Sequence, residues 1–149
     1  MECLSAVRTR LRELGLALRI RSKRMIEPSM SDTNTTVDEL RGLLRVFVAE
    51  RQWERFHNPK NLVMSLAIET SELMEHFQWL THEEAEEAIE DPAQREAICD
   101  EVADCLAYVL SIANTLDIDL SSELVRKMKK NELKYPVDEA LAQLKPTDD

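Results

Sequence analysis

The sequence predicts an all-α fold in which long amphipathic helices pack as a four-helix-bundle-like protomer. From residue 37 onward apolar residues recur at spacings of three and four, the period of a helix with one buried face. Turn formers are scarce, with 2 Gly and 5 Pro in 149 residues, so a sheet with many tight turns is disfavoured. No apolar run reaches the roughly 18 residues that a membrane span needs, so we expect no membrane partner.

Four main helices and one short helix are expected, most of them bounded by a recognisable signal. Asn58 and Pro59 form a favourable first turn for the second helix. Thr81 and Glu84 form a capping box for the short third helix, and Pro92 begins the fourth. Ser121 or Ser122 would cap the last one. The predicted helices span about residues 37–56, 59–80, 81–90, 92–116 and 121–134.

The chain divides into an N-terminal extension with a polar linker (1–36), one helical domain (37–136) and an acidic tail (137–149). Residues 1–29 hold seven Lys and Arg against three Glu, unlike the acidic remainder. Three interpretations stay open: a targeting peptide, a peripheral helix, or a segment that is not translated because Met30 is the natural start. We adopt the Met30 start as the hypothesis, and the intact mass of the native protein tests it.

Charge and cysteine content exclude some functions. The formal net charge of −10 argues against a nucleic-acid partner, because phosphate backbones need a basic surface. The three cysteines are odd in number and match no zinc-site spacing. We expect buried, reduced thiols and a cytoplasmic protein.

Two pairs of carboxylates lie within the most apolar helices. Glu69 and Glu72 are three residues apart on the second helix, and Glu101 and Asp104 are three apart on the fourth. Residues at this spacing share a helix face, with about 5–6 Å between Cβ atoms. If the two helices pack together, four acids converge, and a hard cation such as Mg²⁺ or Mn²⁺ would offset their repulsion. The alternative is a set of solvated acids, since 29 of 149 residues are acidic.

Other residues suit a phosphorylated, base-containing ligand. A group of cationic and polar residues, called here the cationic strip, lies near the C-terminal end of the last helix. The helix macrodipole alone also favours cations there. Trp53 and Trp79 could stack on a nucleobase or pack in the core, and Tyr108 could be core or contact a sugar or phosphate. His57 is an ordinary capping or surface histidine on its own. The strip consists of Lys127, Lys130, Asn131 and Lys134.

Three segments, ERQWERFHNPKNLVMSLAIETSELMEHFQW (50–79), DEVADCLAYVL (100–110) and KMKKNELKYP (127–136), together resemble the MazG-like, all-α nucleoside triphosphate pyrophosphohydrolases. The similarity extends over about residues 37–136 and is greatest to the single-domain dCTP pyrophosphatase branch. It implies a Mg²⁺-dependent enzyme that converts a nucleoside triphosphate to a monophosphate and pyrophosphate, in nucleotide-pool sanitation. It also implies a homodimer or homotetramer.

The resemblance implies specific roles for matching residues. Glu69, Glu72, Glu101 and Asp104 would bind Mg²⁺, with Mn²⁺ as a substitute, and Glu72 would orient or deprotonate the attacking water. The implied substrate-binding residues fall into groups. Trp53, His57 and Trp79 would surround the base, and Lys60 of the Asn-Pro-Lys-Asn element and Tyr108 would also contact the substrate. The residues near phosphates or sugar, partly across a subunit boundary, would be Lys127, Asn131, Lys134 and Tyr135.

Two positions depart from the family pattern. Ser71 stands where the first motif often has glycine, and Leu44 occupies a position that is polar in members preferring dCTP. The base is therefore left open, with dCTP, a modified dCTP or another nucleotide as alternatives. The alternative from a different class is a non-catalytic helical oligomer that binds nucleotide or metal. A third interpretation is a structural bundle with ion-paired acids, in which Mg²⁺ leaves thermal stability unchanged.

Overall fold

The computed structural model describes residues 30–138, and this part of the chain contains five α-helices and no strand, which confirms the all-α prediction. It divides into two compact units, residues 30–116 and residues 117–138. The predicted role of residues 1–29, Cys3 and most of the acidic tail lie outside the described residues. The helices are α1 (Val37–Glu50), α2 (Pro59–Glu75), α3 (His82–Glu90), α4 (Pro92–Leu116) and α5 (Leu120–Lys134).

Helix α1 begins at a capping box and ends earlier than predicted. Thr36 accepts from the backbone N–H of Glu39, and the Glu39 carboxylate accepts from the Thr36 N–H at 2.7 Å. The predicted end at residue 56 was wrong, because Gln52 takes a left-handed conformation (φ 55°). Its N–H donates to Ala49 O, and the N–H of Trp53 donates to Val48 O, both at 3.0 Å. These bonds form a Schellman motif, which ends the helix without glycine.

Helix α2 starts as predicted and also ends early. The Asn58 side chain accepts from the N–H of Asn61 at 3.0 Å, and Pro59 is the first helical residue. The helix ends at Glu75, not at residue 80, and tight turns follow, with the N–H of Leu80 donating to Phe77 O at 3.0 Å. The apolar spacing continues through these turns, and no Gly or Pro marks the boundary, so periodicity alone extended the helix too far.

The other helix starts follow local capping signals. The Thr81–Glu84 capping box begins α3 as predicted, and α4 spans Pro92–Leu116 as predicted, with Asp91 Oδ1 accepting from two backbone N–H groups of its first turn. The predicted serine cap of α5 was wrong. Asp119 caps it, with its carboxylate accepting from the N–H of Ser122 at 2.8 Å.

Helix α4 is the centre of the first unit and packs against α1, α2 and α3, most extensively against α2. The fully buried residues of the described chain are few: Leu62 on α2, and Leu110, Ser111 and Ala113 on α4. The three- and four-residue spacing of apolar residues predicts that a longer face of α4, around Val102, Leu106 and Val109, is buried. In the single chain it is open to solvent, with exposed fractions of 50% for Val102, 48% for Leu106 and 38% for Val109.

The cysteines of α4 agree only in part with the expectation of buried, reduced thiols. Cys99 and Cys105 are unpaired, as predicted, but Cys99 is exposed rather than buried because it lies on an uncovered face of α4. Within residues 30–138 no helix has both the length and the apolarity to cross a membrane.

Candidate active site

Packing of α2 against α4 brings the predicted acids together. Carboxylate oxygens of Glu69, Glu72 and Glu101 all lie within 4.8 Å of one another. Asp104 lies outside this closest group, one helical turn after Glu101, and its charge acts on Glu69. Glu69 and Glu101 are half-buried, whereas Glu72 and Asp104 are exposed. Three of the four acids that were predicted to converge therefore lie together, and Asp104 does not belong to the close group.

The electrostatics of this acid cluster are unbalanced. Burial, and after it the charges of Asp104, Glu72 and Glu101, raises the pKa of Glu69 above its ordinary value. Oε2 of Glu101 is buried and has no hydrogen-bond partner within the described residues. No Lys, Arg or His side chain of residues 30–116 forms an ion pair with any of the four acids. A buried, unpartnered carboxylate oxygen is costly, so the arrangement calls for a cationic ligand.

The donor set fits Mg²⁺. Hard divalent cations prefer carboxylate oxygens, and Mg²⁺ is commonly held by a few carboxylates together with waters and substrate phosphates. A Glu101 carboxylate oxygen lies within 4.8 Å of carboxylate oxygens from the neighbouring helix, so one cation could bind ligands from both helices. The chemistry of these residues is therefore consistent with the predicted cation.

Two hydroxyl residues separate the acids of α2. Thr70 and Ser71 each donate to the carbonyl oxygen four residues back, at 2.7 and 2.8 Å. Such bonds keep the hydroxyls on the backbone of their own helix. Thr70 Oγ1 also lies 3.7 Å from Sγ of Cys105 on α4, so a polar contact between the helices adjoins the acid cluster. Ser71 is exposed, and its side chain does not prevent the α2–α4 packing.

Trp53 belongs to an aromatic cluster at the end of α1. Its ring packs edge-on against Phe47, with centroids 5.9 Å apart and an interplanar angle of 74°. The Arg51 guanidinium lies over the Phe47 ring at 3.5 Å. Phe47 and Arg51 were not among the predicted site residues. Their four-residue spacing, just before Trp53, was the available signal.

The remaining predicted residues of the first unit are dispersed. His57 is half-buried and its carbonyl oxygen lies 3.5 Å from Thr115 Oγ1. Lys60 is exposed in the first turn of α2, Tyr108 is half-buried on α4, and Trp79, in the turn after α2, is 85% exposed. Within residues 30–116 no hydrogen bond or ring contact joins these side chains to the acids.

The last four predicted residues belong to the second unit. Lys127 and Lys134 are exposed on α5, and Asn131 is half-buried. The Lys134 ammonium lies 5.0 Å from the centre of the Tyr135 ring, and the Tyr135 N–H donates to Asn131 O at 2.8 Å. All residues of the strip therefore lie on α5, and their contact with a substrate stays a prediction.

Comparison with known proteins gives consistent matches. Residues 64–147 match the MazG-like family. The chain is 37% identical over 110 residues to dCTP pyrophosphatase 1 of Bos taurus, covering 74% of this chain and 65% of the relative. It is 39% identical over 101 residues to dCTP pyrophosphatase 1 of Homo sapiens, covering 68% and 59%. The matched part therefore spans less than two thirds of these mammalian relatives.

A solved structure has the same fold. It is a pyrophosphatase from Archaeoglobus fulgidus DSM 4304, with a TM-score of 0.65 and 37% sequence identity. The alignment covers 72% of this chain and 99% of the archaeal one. The likeness thus extends over essentially the whole of that protein.

Proposed function

This chain belongs to the MazG-like family, and on that premise we propose that it is a Mg²⁺-dependent nucleoside triphosphate pyrophosphohydrolase. The observation that carries the proposal is the acid cluster: carboxylates from α2 and α4 converge, and one buried oxygen lacks a partner. The names of the mammalian and archaeal relatives, dCTP pyrophosphatase 1 and pyrophosphatase, support the same reaction class.

The proposed reaction is the attack of water on the α-phosphorus of a nucleoside triphosphate, with release of pyrophosphate. Glu69, Glu72, Glu101 and Asp104 would hold the cation. When bound, Mg²⁺ supplies positive charge to the phosphate oxygens and lowers the pKa of the attacking water. Glu72 is the exposed member of the close triad, so its carboxylate is open to solvent and can orient the water or accept its proton.

Substrate binding is assigned to the remaining predicted residues. The ring of Trp53 offers a partly exposed face for stacking with the base, together with His57 and Trp79. Lys60, Lys127, Asn131, Lys134, Tyr108 and Tyr135 are proposed to contact phosphates or sugar. We propose a deoxynucleotide as substrate, dCTP or a modified dCTP, because the relatives at 37–39% identity are named for dCTP. The half-buried Leu44 on α1 makes base preference the first property to measure.

We also propose a homodimer or homotetramer. The apolar face of α4 around Val102, Leu106 and Val109 is open in one chain, although such residues usually lie in a core or an interface. On α2, Met64 and Ile68 are also more than half exposed. Light scattering coupled to size exclusion tests this, and a monomer at micromolar concentration would contradict it. A cytoplasmic role in removing unwanted nucleotides completes the proposal.

The test is pyrophosphate release from a panel of nucleotides. The full chain is incubated with dCTP, 5-substituted dCTP, dUTP, dTTP and CTP, each with Mg²⁺ and with EDTA. We expect Mg²⁺-dependent release of equimolar monophosphate and pyrophosphate from one or a few deoxynucleotides. If folded protein with Mg²⁺ acts on no nucleotide, the non-catalytic binding module becomes the better interpretation.

A further inference from the structure

The side chain of Asn114 links the last turn of α4 to α1 through hydrogen bonds. Oδ1 of Asn114 accepts from Nε of Arg41 and from Nη1 of Arg45, both at 2.9 Å. Nδ2 of Asn114 donates to the backbone carbonyl of Arg41 at 3.1 Å. Nη2 of Arg41 also donates to the carbonyl oxygen of Ala113 at 3.3 Å. A single amide therefore engages two side chains and one backbone group of the neighbouring helix.

The charges at this junction suit a permanent structural contact. Helix α4 has no basic residue in its own last turn, where the free carbonyls carry partial negative charge. Arg41 and Arg45, four apart on α1, supply the missing cations from the neighbouring helix. Asp38 lies 3.6 Å from Arg45 and offsets part of the positive charge. Both the oxygen and the nitrogen of the Asn114 amide thus have partners within the chain.

The same turn of α4 also contacts the connection between α1 and α2. Oγ1 of Thr115, the residue after Asn114, lies 3.5 Å from the carbonyl oxygen of His57 and donates to Ser111 O at 2.9 Å. This connection carries Trp53, which packs on Phe47 of α1. Helix α4 therefore carries Glu101 and Asp104 in its middle, and its last turn contacts α1 through Asn114 and the connection between α1 and α2 through Thr115.

We propose that Asn114 is a positioning residue that sets the aromatic connection 51–57, and with it the base-binding side chains, relative to the acids on α4. The proposal rests on the proposed function for its effect on catalysis, whereas its effect on the connection itself is independent of activity. Loss of the amide contacts frees the last turn of α4 from α1. Base binding then weakens while the acids stay in place on the α2–α4 pair.

The experiment compares two substitutions at one position. Asn114→Leu removes every polar contact at similar volume, whereas Asn114→Asp keeps an acceptor for both arginines. Thr81→Ala is the matched control, because it removes the cap of α3 and destabilises the chain away from this junction. The nucleotide substrate is the most active one from the panel, and all assays are run well below the Tm of each variant.

We expect Asn114→Leu to raise KM about five- to tenfold with kcat within about twofold, since an interaction used equally in ground and transition states is lost. Asn114→Asp should stay within about twofold of wild type in both constants. Hydrogen exchange followed by mass spectrometry, which needs no activity, should show faster exchange across residues 37–57 in Asn114→Leu only. Exchange across residues 62–75 should match that of Thr81→Ala.

Equal KM and equal exchange across residues 37–57 in Asn114→Leu and Thr81→Ala would overturn the proposal. If the protein hydrolyses no nucleotide, the proposed function fails while the exchange data still decide the positioning role. If Asn114→Leu does not fold, Arg45→Met replaces it, because it removes one of the two guanidinium donors at an exposed residue. It should then raise exchange across residues 37–57 to a smaller extent, and unchanged exchange would overturn the proposal.

Discussion

Polar side chains in the middle and in the last turn of α4 differ in whether they have hydrogen-bond partners. In the middle, Glu101 has a buried carboxylate oxygen without a partner in the described residues, and burial, followed by neighbouring acids, raises the pKa of Glu69. In the last turn, Asn114 accepts two hydrogen bonds and donates one, all to α1. One site is incomplete within the described chain, and the other is complete.

The difference separates function from stability along one helix. A polar group that is satisfied internally contributes to folding, because the cost of its desolvation is met. A cluster of like charges without a counter-charge lowers stability and persists where a ligand meets that cost. We therefore propose that the acid cluster of α2 and α4 binds a cation, whereas the Asn114 junction fixes the last turn of α4 to α1.

Removal of one acid should give the largest effect on activity. Glu72→Gln should lower kcat/KM about 10²- to 10⁴-fold, the range for a positioned acid or base, and Glu69→Gln and Asp104→Asn should be similarly inactive. Unfolding temperature without metal should stay unchanged or rise, because a repelling charge is lost. Glu75→Gln, an exposed acid three residues further on α2, is the control and should retain activity. Near-normal activity in all three acid variants would end the proposal.

Mg²⁺ should stabilise the folded chain. Saturation at about 100 times Kd adds roughly 2.7 kcal/mol to the free energy of unfolding, which is visible as a higher Tm in calorimetry. Glu101→Gln should lose this stabilisation, since the unpartnered oxygen no longer carries charge. The same Tm with Mg²⁺ and with EDTA in the wild type would favour a purely structural bundle.

Removal of Arg41 should lower the stability of the fold. Arg41→Met breaks its bonds to Asn114 and Ala113 in a half-buried site and should lower the free energy of unfolding by about 1–2 kcal/mol. Arg126→Met is the control, because Arg126 pairs with Glu123 at the surface, and it should change stability by less than about 1 kcal/mol. Urea denaturation gives both values. Equal losses would show that the junction is no more than a surface contact.

The smallest expected effect concerns the pH dependence of stability, to which Glu69 and Glu39 should contribute with opposite signs. The pKa of Glu69 is raised above 4.5, so its contribution to metal-free stability declines as pH rises from 4.5 through the raised pKa. Hydrogen bonds from the Thr36 backbone N–H and hydroxyl lower the pKa of Glu39. Its contribution is therefore present above pH 4.5 and is lost as pH falls through the lowered value.

Thermal melts with EDTA at pH 4 and pH 7 measure this contrast. Glu69→Gln should be more stable than wild type at pH 7, with a smaller advantage at pH 4. Glu39→Gln should be less stable than wild type at pH 7, with a smaller deficit at pH 4. The same sign for both variants at pH 7 would contradict the assigned environments.

Local signals in the sequence predicted some features well. The full extent of α4, the start of α2 at Asn58 and Pro59, and the capping box of α3 follow from backbone preferences of single residues and their near neighbours. The acid pairs were predicted because a three-residue spacing places both side chains on one helix face whatever the surroundings.

Predictions of helix ends without a Gly or Pro signal, and of what covers an apolar face, were less successful. Helix α1 ends at Glu50 because Gln52 adopts a left-handed conformation, although glutamine is not a residue that favours it. The face of α4 around Val102 and Leu106 reads as core in the sequence and is open in a single chain. Periodicity indicates that a helix face is apolar, but it does not indicate which surface covers that face.

Sequence patterns predicted the helical class, the family and the pairs of acids, because each depends on residues close together along the chain. The tertiary structure decided that a carboxylate oxygen from each of Glu69, Glu72 and Glu101 lies within 4.8 Å of the other two, and that Oε2 of Glu101 lacks a partner within the described residues. It also decided that Arg41 and Arg45 meet on Asn114, more than 60 residues away. The physical reason is that side-chain spacing within a helix is fixed by its geometry, whereas contacts between helices depend on how whole faces pack.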